Sequence, residues 1–217
     1  MFKRYTLFPK DIKPMSGERM LAFIDPMIKL GYLPQTNKGI MVKFEDEGQK
    51  IKTEESWTVD FISKDSSGIS ISITPERIDI KCEIAINWKE FESKSKPILN
   101  IVEELSGNEF SRIAVGFIRN IQIEKTEAIK EGFLSEEEIN DESLKEKTNQ
   151  RLNRLLLKGT SNLFYNHIET HSISIEPNYC KLKTEYDINT VPGIDSNLVS
   201  TFKESFFSEI VNQLNEI

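Results

Sequence analysis

The fold of this 217-residue chain is decided by the segment from Ser70 to Asn87, SISITPERIDIKCEIAIN, because a second version of it begins at Ser172 as SISIEPNYCKLKTEYDIN. The matching positions include Ser70/Ser172, Ile71/Ile173, Ser72/Ser174, Ile73/Ile175, Pro75/Pro177, Lys81/Lys183, Glu83/Glu185 and Asn87/Asn189. A helical pattern follows each version. We interpret the pair as an internal duplication, and independent convergence of two similar hairpins is the alternative.

Each version has the pattern of a β-hairpin. In the first, isoleucines at 69, 71 and 73 alternate with serines, which is the period of a strand with one buried face. Pro75 then occupies the second position of a turn, where its fixed φ is favoured. Beyond the turn, apolar residues alternate with charged ones from Ile78 to Ile86. The pattern predicts an antiparallel sheet with one buried and one wet face.

The chain divides by this pattern into two halves, 1–107 and 108–217, each an antiparallel sheet unit followed by a helix. A helix is predicted from Trp88 to Leu105, and a final helix begins after Asp195 and carries a broad apolar stripe. We predict an α+β fold in which the two pseudo-repeated units form one curved sheet with both helices on one face. The other face of the sheet is then free for function.

The N-terminal segment 1–15 is predicted to be extended, because Pro9 and Pro14 interrupt any helix, and to dock on the remainder of the protein. Ser16 is a candidate cap for a helix that ends at Gly31. The second half contains an acidic insertion, predicted to be helical, near residues 131–158. Its helical signals are a start signature at Ser135 and leucines spaced for one helix face between 151 and 158.

Composition excludes several classes of protein. The formal net charge of −7 disfavours nucleic-acid binding, because no basic stripe offsets it. No secretory signal or long apolar segment is present, so we expect a cytoplasmic protein without membrane contact. The two cysteines, Cys82 and Cys180, fall in predicted strands and are expected to be buried free thiols.

No motif commits the chain to a chemistry. The sequence HIETH at 167–171 resembles a zinc-protease pattern, but its glutamate is one place late. On a strand, two histidines four residues apart are separated by about 13 Å, too far to share one zinc ion. Phosphate-binding glycine loops and glycine-flanked serines are also missing from the sequence. We therefore predict no catalytic residue, no metal and no cofactor.

The candidate binding residues are Arg112, Arg119, Asn120, His167 and His171. In the predicted strand SRIAVGFIRNIQIE at 111–124, Arg119 shares a face with apolar residues and needs a partner. Three alternatives are open: its side chain extends to the sheet edge, it pairs with a core-facing carboxylate, or it contacts an external anion or protein. The opposite row contains Ala114 and Gly116, whose small size permits close approach of either the acidic insertion or a partner.

This strand also carries a family resemblance. It resembles the strand of approximate form Arg-Ile-Gly-Leu-Arg-Tyr-Ile-Asn in a sporadically distributed, largely uncharacterised bacterial protein family. The helix start Trp88-Lys89-Glu90-Phe91 and Arg112-Ile113-Ala114 fit that layout over residues 57–217, whereas Gly116 replaces the family's second arginine and Arg119 its asparagine. The resemblance implies an α+β fold and a defence- or toxin-linked setting, and it implies no catalytic residues.

Three hypotheses for function follow from the sequence. The first is a non-enzymatic protein-binding or assembly module, with a protein partner or a second copy of the chain on the free sheet face. The second is a carrier of a small apolar ligand between the sheet and the phenylalanine-rich C-terminal helix. The third is an enzyme whose site is assembled only in three dimensions.

Overall fold

The computed structural model describes residues 2–10, 21–44, 51–65, 67–107, 109–141 and 143–215, with the side chains of 38–44 and 51–57 left aside. The strands are β1 (Phe2–Pro9), β2 (Tyr32–Phe44), β3 (Ile51–Ser63), β4 (Ile69–Ile73), β5 (Ile78–Cys82), β6 (Phe110–Ile123), β7 (Glu146–Leu156), β8 (Phe164–Ile175) and β9 (Cys180–Thr190). The helices are α1 (Ile24–Lys29), α2 (Trp88–Ser106), α3 (Lys125–Lys130), α4 (Glu136–Asn140), α5 (Ser196–Thr201) and α6 (Lys203–Asn215). The predicted cap at Ser16 lies outside the described residues.

All the strands form one nine-stranded sheet in the order β2-β3-β4-β5-β1-β6-β9-β8-β7, and every pairing is antiparallel. The N-terminal segment, predicted to dock as an extended arm, is the central strand. It pairs with β5 on one side and with β6 on the other. The structure thus confirms an α+β fold built on an antiparallel sheet.

The strand order runs outward from β1 and β6 in two corresponding series. On one side of this pair lie β5, β4 and β3, and on the other lie β9, β8 and β7. Strand β2 extends the first series by one position. Strands from residues before 107 therefore occupy one side of the sheet, and strands from residues after 108 occupy the other.

The two hairpins that resemble each other in sequence have the same register. Their turns are closed by equivalent hydrogen bonds, from Thr74 N to Arg77 O and from Glu176 N to Tyr179 O, both 2.9 Å. The first hairpin is shorter than predicted, because β5 ends at Cys82. The amide of Ile86 donates to the carbonyl of Ile84 at 3.0 Å, a tight turn that takes the chain out of the sheet toward α2.

Helix α2 starts and ends where the sequence predicts. The side chain of Asn87 accepts a hydrogen bond from Glu90 N at 2.8 Å, and Gly107 ends the helix with φ 75°, a conformation that favours glycine. The C-terminal helical segment is divided at Phe202 into α5 and α6. Buried Lys203 forms an ion pair with Glu103, which joins α6 to α2.

Two apolar clusters lie between sheet and helices. The larger contains the isoleucines of β4 and β5 together with buried residues of α2 and α6. The smaller lies beneath α3 and α4 and consists of Ile123, Ala128, Leu134, Ile173, Cys180 and Leu182. Cys82 and Cys180 are both buried free thiols, as predicted.

The prediction of a helix across 151–158 is wrong. Residues 146–156 form β7, which pairs with β8 along its whole length from Glu146 to Leu156. The spacing of Leu152, Leu155 and Leu156 suits a helix, but pairing with an adjacent strand overrides such a local pattern. Within the insertion only α4 matches the prediction, and Ser135 and Glu138 form its capping box.

We predict that substitution by lysine destabilises the protein at Ile71 of β4 and does not destabilise it at the adjacent Ser72. Ile71 is 1% exposed, whereas Ser72 lies on the other face between Asp60 and Asp79. Ile71→Lys should lower the free energy of unfolding by roughly 3 kcal/mol or more, because it buries an unpaired charge. Ser72→Lys should leave it unchanged or raise it, because a lysine there has two carboxylate neighbours. Equal losses in denaturant unfolding would contradict the assignment of faces.

Candidate functional site

The two faces of the sheet differ in what covers them. The helix face is defined in β1 by Lys3, Tyr5 and Leu7, and the ring of Tyr5 lies 4.7 Å from that of Phe91 in α2 and 4.5 Å from that of Phe207 in α6. The open face carries the alternate residues, and no described helix packs against it. The two helices therefore share one face of the sheet, as predicted.

The five predicted site residues do not form one site. Arg119, His167 and His171 lie on the helix face, whereas Arg112 and Asn120 lie on the open face. The alternation predicted for β6 is confirmed, with Arg119 in the row of its apolar residues. Three of the five residues thus share the helix face, with His167 four positions along β8 from His171, and the other two belong to the opposite surface.

The helix-face group includes both histidines of the chain. Arg119 is directly opposite Thr184, and Thr184 is directly opposite His171 on the next strand. His171 Nδ1 is 3.2 Å from Thr184 Oγ1, and His171 Nε2 is 3.1 Å from Glu169 Oε1. Strands β6, β9 and β8 therefore place a cation, a hydroxyl, an imidazole and a carboxylate side by side.

Tyr186 links this group to the core. Its ring stacks on Phe117 at 5.9 Å, and its hydroxyl is hydrogen-bonded to Glu169. Burial, together with this bond and the negative charge of Glu169, raises the pKa of Tyr186 to about 12, while the positive charge of Arg119 opposes the shift. The phenol is therefore protonated at neutral pH and donates its hydrogen bond to Glu169.

A cleft of about 250 Å³ opens above Arg119, Thr184 and Tyr186. Its apolar wall is formed by Ile121, Ile123, Phe133 and Leu182, and Glu127 of α3 and Glu131, which directly follows that helix, line it as well. The ring of Phe133 lies 5.1 Å from that of His171. Helix α3 thus forms a roof over one side of the polar group.

His167 occupies the next row of the helix face, 5.7 Å from the ring of Tyr186. Its Nε2 is buried and has no hydrogen-bond partner among the described residues. Burial lowers the pKa of His167, with Glu169 opposing the shift and Arg151 adding to it. His167 is therefore a neutral neighbour of the polar group and makes no hydrogen bond to it through Nε2.

A second cleft, of about 290 Å³, lies between α2 and α6 over the centre of the sheet. Tyr5 is part of its lining, with Leu99 and Phe207 as apolar neighbours and charged side chains at the opening. The hydroxyl of Tyr5 is fully buried, and no described group forms a hydrogen bond with it. Burial, reinforced by the charge of Glu92, raises the pKa of Tyr5.

Next to Tyr5, the core contains a buried lysine, Lys3, which the sequence analysis did not select. Lys3 is 1% exposed, donates a hydrogen bond from Nζ to the carbonyl of Ile86, and lies over the rings of Trp88 and Phe117 at 5.5 and 5.6 Å. Burial lowers the pKa of Lys3. Its role is to hold the start of α2 against the central strand through cation–π and hydrogen-bond contacts.

The open face is crowded at its centre. Arg4 lies across Gly116, where an added Cβ would stand 3.2 Å from Arg4 Nε, so the close approach predicted at Gly116 is made by the chain's own arginine. Beside it, Thr6 donates to the buried carboxylate of Asp79 at 2.6 Å. The Nε atoms of Arg4 and Arg112 are buried without hydrogen-bond partners in the described part of the chain.

Comparisons with known proteins find nothing similar: no family model, no curated protein and no solved structure matches this chain. The resemblance carried by Arg112 and the Trp88 helix start therefore stays a prediction. Among the described residues, no helix has the length and apolar character needed to cross a membrane. In that same part of the chain, no three residues with metal-binding side chains are grouped to hold an ion.

Proposed function

We propose that the protein is a protein-binding module that holds its partner on the open face of the sheet. The observation that carries the proposal is a row of side chains across this face that ends in an apolar pair on each side. Leu33 and Ile62 are directly opposite each other at one end, and Leu152 and Ile168 at the other. Leu33, Ile62 and Leu152 are 51%, 52% and 62% exposed.

These pairs favour a partner, because contiguous apolar side chains on an otherwise polar face lose contact with water when a second surface covers them. A single exposed leucine needs no such explanation. At the β7 end of the same face, beyond the polar pair of Arg154 and Asn166, lies a second apolar pair: Leu156 and Phe164 are directly opposite each other and are 43% and 40% exposed. The partner we propose therefore contacts the two ends of the sheet through apolar groups.

The middle of the same row is polar and contains Lys81, Arg4 and Asp187 around Gly116. Arg4 and Arg112 each have a buried Nε without a hydrogen-bond partner among the described residues, and an arginine in that condition gains from a carboxylate or carbonyl acceptor. We therefore propose that the partner presents acceptor oxygens between its two apolar contacts.

We also propose that the two halves are copies and that a pseudo-twofold axis passes between β1 and β6. The equivalent hairpin registers and the two corresponding series of strands support this proposal. Such symmetry would relate β3 to β7, which carry one member of each apolar pair, and would leave β2 without a counterpart. A partner with a similar repeat, or a symmetric dimer, fits a face of this kind.

A crosslinking experiment tests the open-face proposal with a matched control on one strand. A photoreactive residue in place of Leu152, on the open face, should give a covalent adduct of one discrete mass in cells of the native host. The same residue in place of Leu155, which is 39% exposed on the helix face of β7, should give none. Leu152→Lys should abolish an adduct formed from position 62, because a desolvated charge opposes docking.

Positions 152 and 155 are both exposed, so a photoreactive residue at either one should not lower the melting temperature appreciably. Equal crosslinking from positions 152 and 155, or none from 152 and 62, would refute docking on the open face. An adduct whose mass is twice that of the chain would identify the partner as a second copy.

A second candidate, the apolar-ligand carrier, is favoured by the cleft between α2 and α6. A buried hydroxyl without a partner costs roughly 1–3 kcal/mol, and a ligand acceptor atom entering above Tyr5 would remove that cost. With Leu99 and Phe207 beside it, the cleft suits a small aromatic molecule that carries one acceptor.

Native mass spectrometry of the protein purified from its host tests the carrier. The expected result is a small adduct on the wild-type chain that is lost in Ser93→Trp, because an indole at this position of the lining fills the cleft. Glu104→Trp, an exposed position of the same helix outside the cleft, should retain the adduct. A wild-type chain without an adduct, or an adduct retained in Ser93→Trp, counts against the carrier.

A further inference from the structure

A chain of hydroxyl, imidazole and carboxylate crosses β9 and β8 on the helix face. Thr184 Oγ1 lies 3.2 Å from His171 Nδ1, and His171 Nε2 lies 3.1 Å from Glu169 Oε1. These are the two contacts that activate a hydroxyl nucleophile: a base within hydrogen-bond reach of the hydroxyl, and a third group that orients the base. The alternation of β8 produces the second contact, because residues 169 and 171 share one face.

The proton on the neutral imidazole has one favourable position. On Nε2 it is donated to the carboxylate of Glu169, and the lone pair of Nδ1 is then available to the hydroxyl of Thr184. Glu169 also accepts from the hydroxyl of Tyr186, so the carboxylate is held from two sides. The arrangement holds His171 in the tautomer that can remove a proton from Thr184.

Thr184 also lies at the wall of a cleft that a small molecule can enter. Thr184 is part of the lining of the 250 Å³ cleft, together with Arg119, its directly opposite neighbour on β6. A guanidinium in this position can stabilise negative charge that develops on an oxygen atom beside the threonine. His171 and Glu169 retain side-chain exposures of 24% and 26%, so water can reach the base.

We propose that this cleft hydrolyses carboxylic esters, with Thr184 as the nucleophile, His171 as the general base and acid, and Glu169 as a positioning residue. Thr184 Oγ1 forms a bond to the carbonyl carbon while its proton passes to His171, and the electron pair of the carbonyl moves to an oxyanion beside Arg119. The oxyanion then collapses, the bond to the leaving oxygen breaks, and His171 returns the proton to release an alcohol.

Water completes the cycle. His171 removes a proton from the water molecule, whose oxygen attacks the acyl-threonine ester, and the departing Thr184 oxygen recovers the proton. One ester and one water give one acid and one alcohol, so no oxidant, reductant or further reactant is needed.

The lining of the cleft defines the class of substrate. Ile121, Leu182 and Phe133 suit a short apolar acyl group, and the volume of about 250 Å³ limits its size. Glu127 and Glu131 disfavour a negatively charged alcohol portion. The expected substrates are uncharged or cationic esters of short acyl chains. This site is independent of the open-face proposal, because it lies on the opposite surface of the sheet.

The test uses the full chain with p-nitrophenyl acetate as the probe ester. Wild type should hydrolyse the ester above the buffer rate, Thr184→Val should lose on the order of 100-fold of that activity, and Thr184→Ser should retain it. His171→Gln should match the loss, while His167→Gln, the other histidine of the same strand face, should leave the rate unchanged. Glu169→Gln should lower kcat per mole of folded protein, with the folded fraction measured by circular dichroism, because loss of folded protein by itself lowers the apparent kcat and leaves KM unchanged.

A trapping experiment keeps the proposal falsifiable if the variants fail to fold. Wild-type protein incubated with diethyl p-nitrophenyl phosphate should gain one diethylphosphoryl group, and peptide mass spectrometry should place it on Thr184. A label on Lys183 or Tyr186, no label at all, or hydrolysis that survives Thr184→Val would overturn the assignment. Crosslinking from Leu152 is unaffected by these outcomes, so failure here and failure of the open-face proposal are distinguishable.

Discussion

The pairing of β1 with β6 is the constraint on which the remainder of the structure depends. It is the one strand contact that joins the five strands of the first half to the four of the second. Its helix face carries Tyr5, whose ring contacts aromatic residues of both α2 and α6. Because the first strand of the chain pairs with a strand that begins at residue 110, the central contact is also a long-range one. Without this pairing, β1 and β6 would each be an edge strand of a separate sheet.

Strand alternation then places different residues of β6 on the two faces of the sheet. One row of β6 faces the helices and brings Arg119 to the cleft under α3, while the next row leaves Arg112 and Asn120 on the open side. On the helix face, the cleft beside Arg119 and Thr184 lies in the second half, and the cleft above Tyr5 lies between α2 and α6. The open face carries the exposed apolar pairs at its two ends. The two proposed activities therefore do not compete for one surface.

Local patterns predicted the elements whose signals are local. The alternating isoleucines of β4, the proline turn, the bounds of α2 and the cap of α4 were all predicted from the sequence, because each depends on a few neighbouring residues. The strand at 146–156 was not, because its pairing with β8 decides it and its leucines have helical spacing. Sequence also selected Arg119, His167 and His171 but missed Thr184, which lies on a different strand and becomes the neighbour of Arg119 and His171 only through register. Glu169 could have been found, because the alternation of HIETH places it on the histidine face.

The most direct test of whether one sheet unites the two halves is native-state hydrogen exchange of the backbone amides, compared between wild type and Tyr5→Ala. If one sheet unites the halves, amides of β1, β5, β6 and β9 should exchange together at the free energy of global unfolding. Removing the Tyr5 ring should lower the protection of all four strands by the same amount, about 3 kcal/mol or more. Loss of protection in β1 and β5 alone, with β6 and β9 unchanged, would show two independent units and contradict the account.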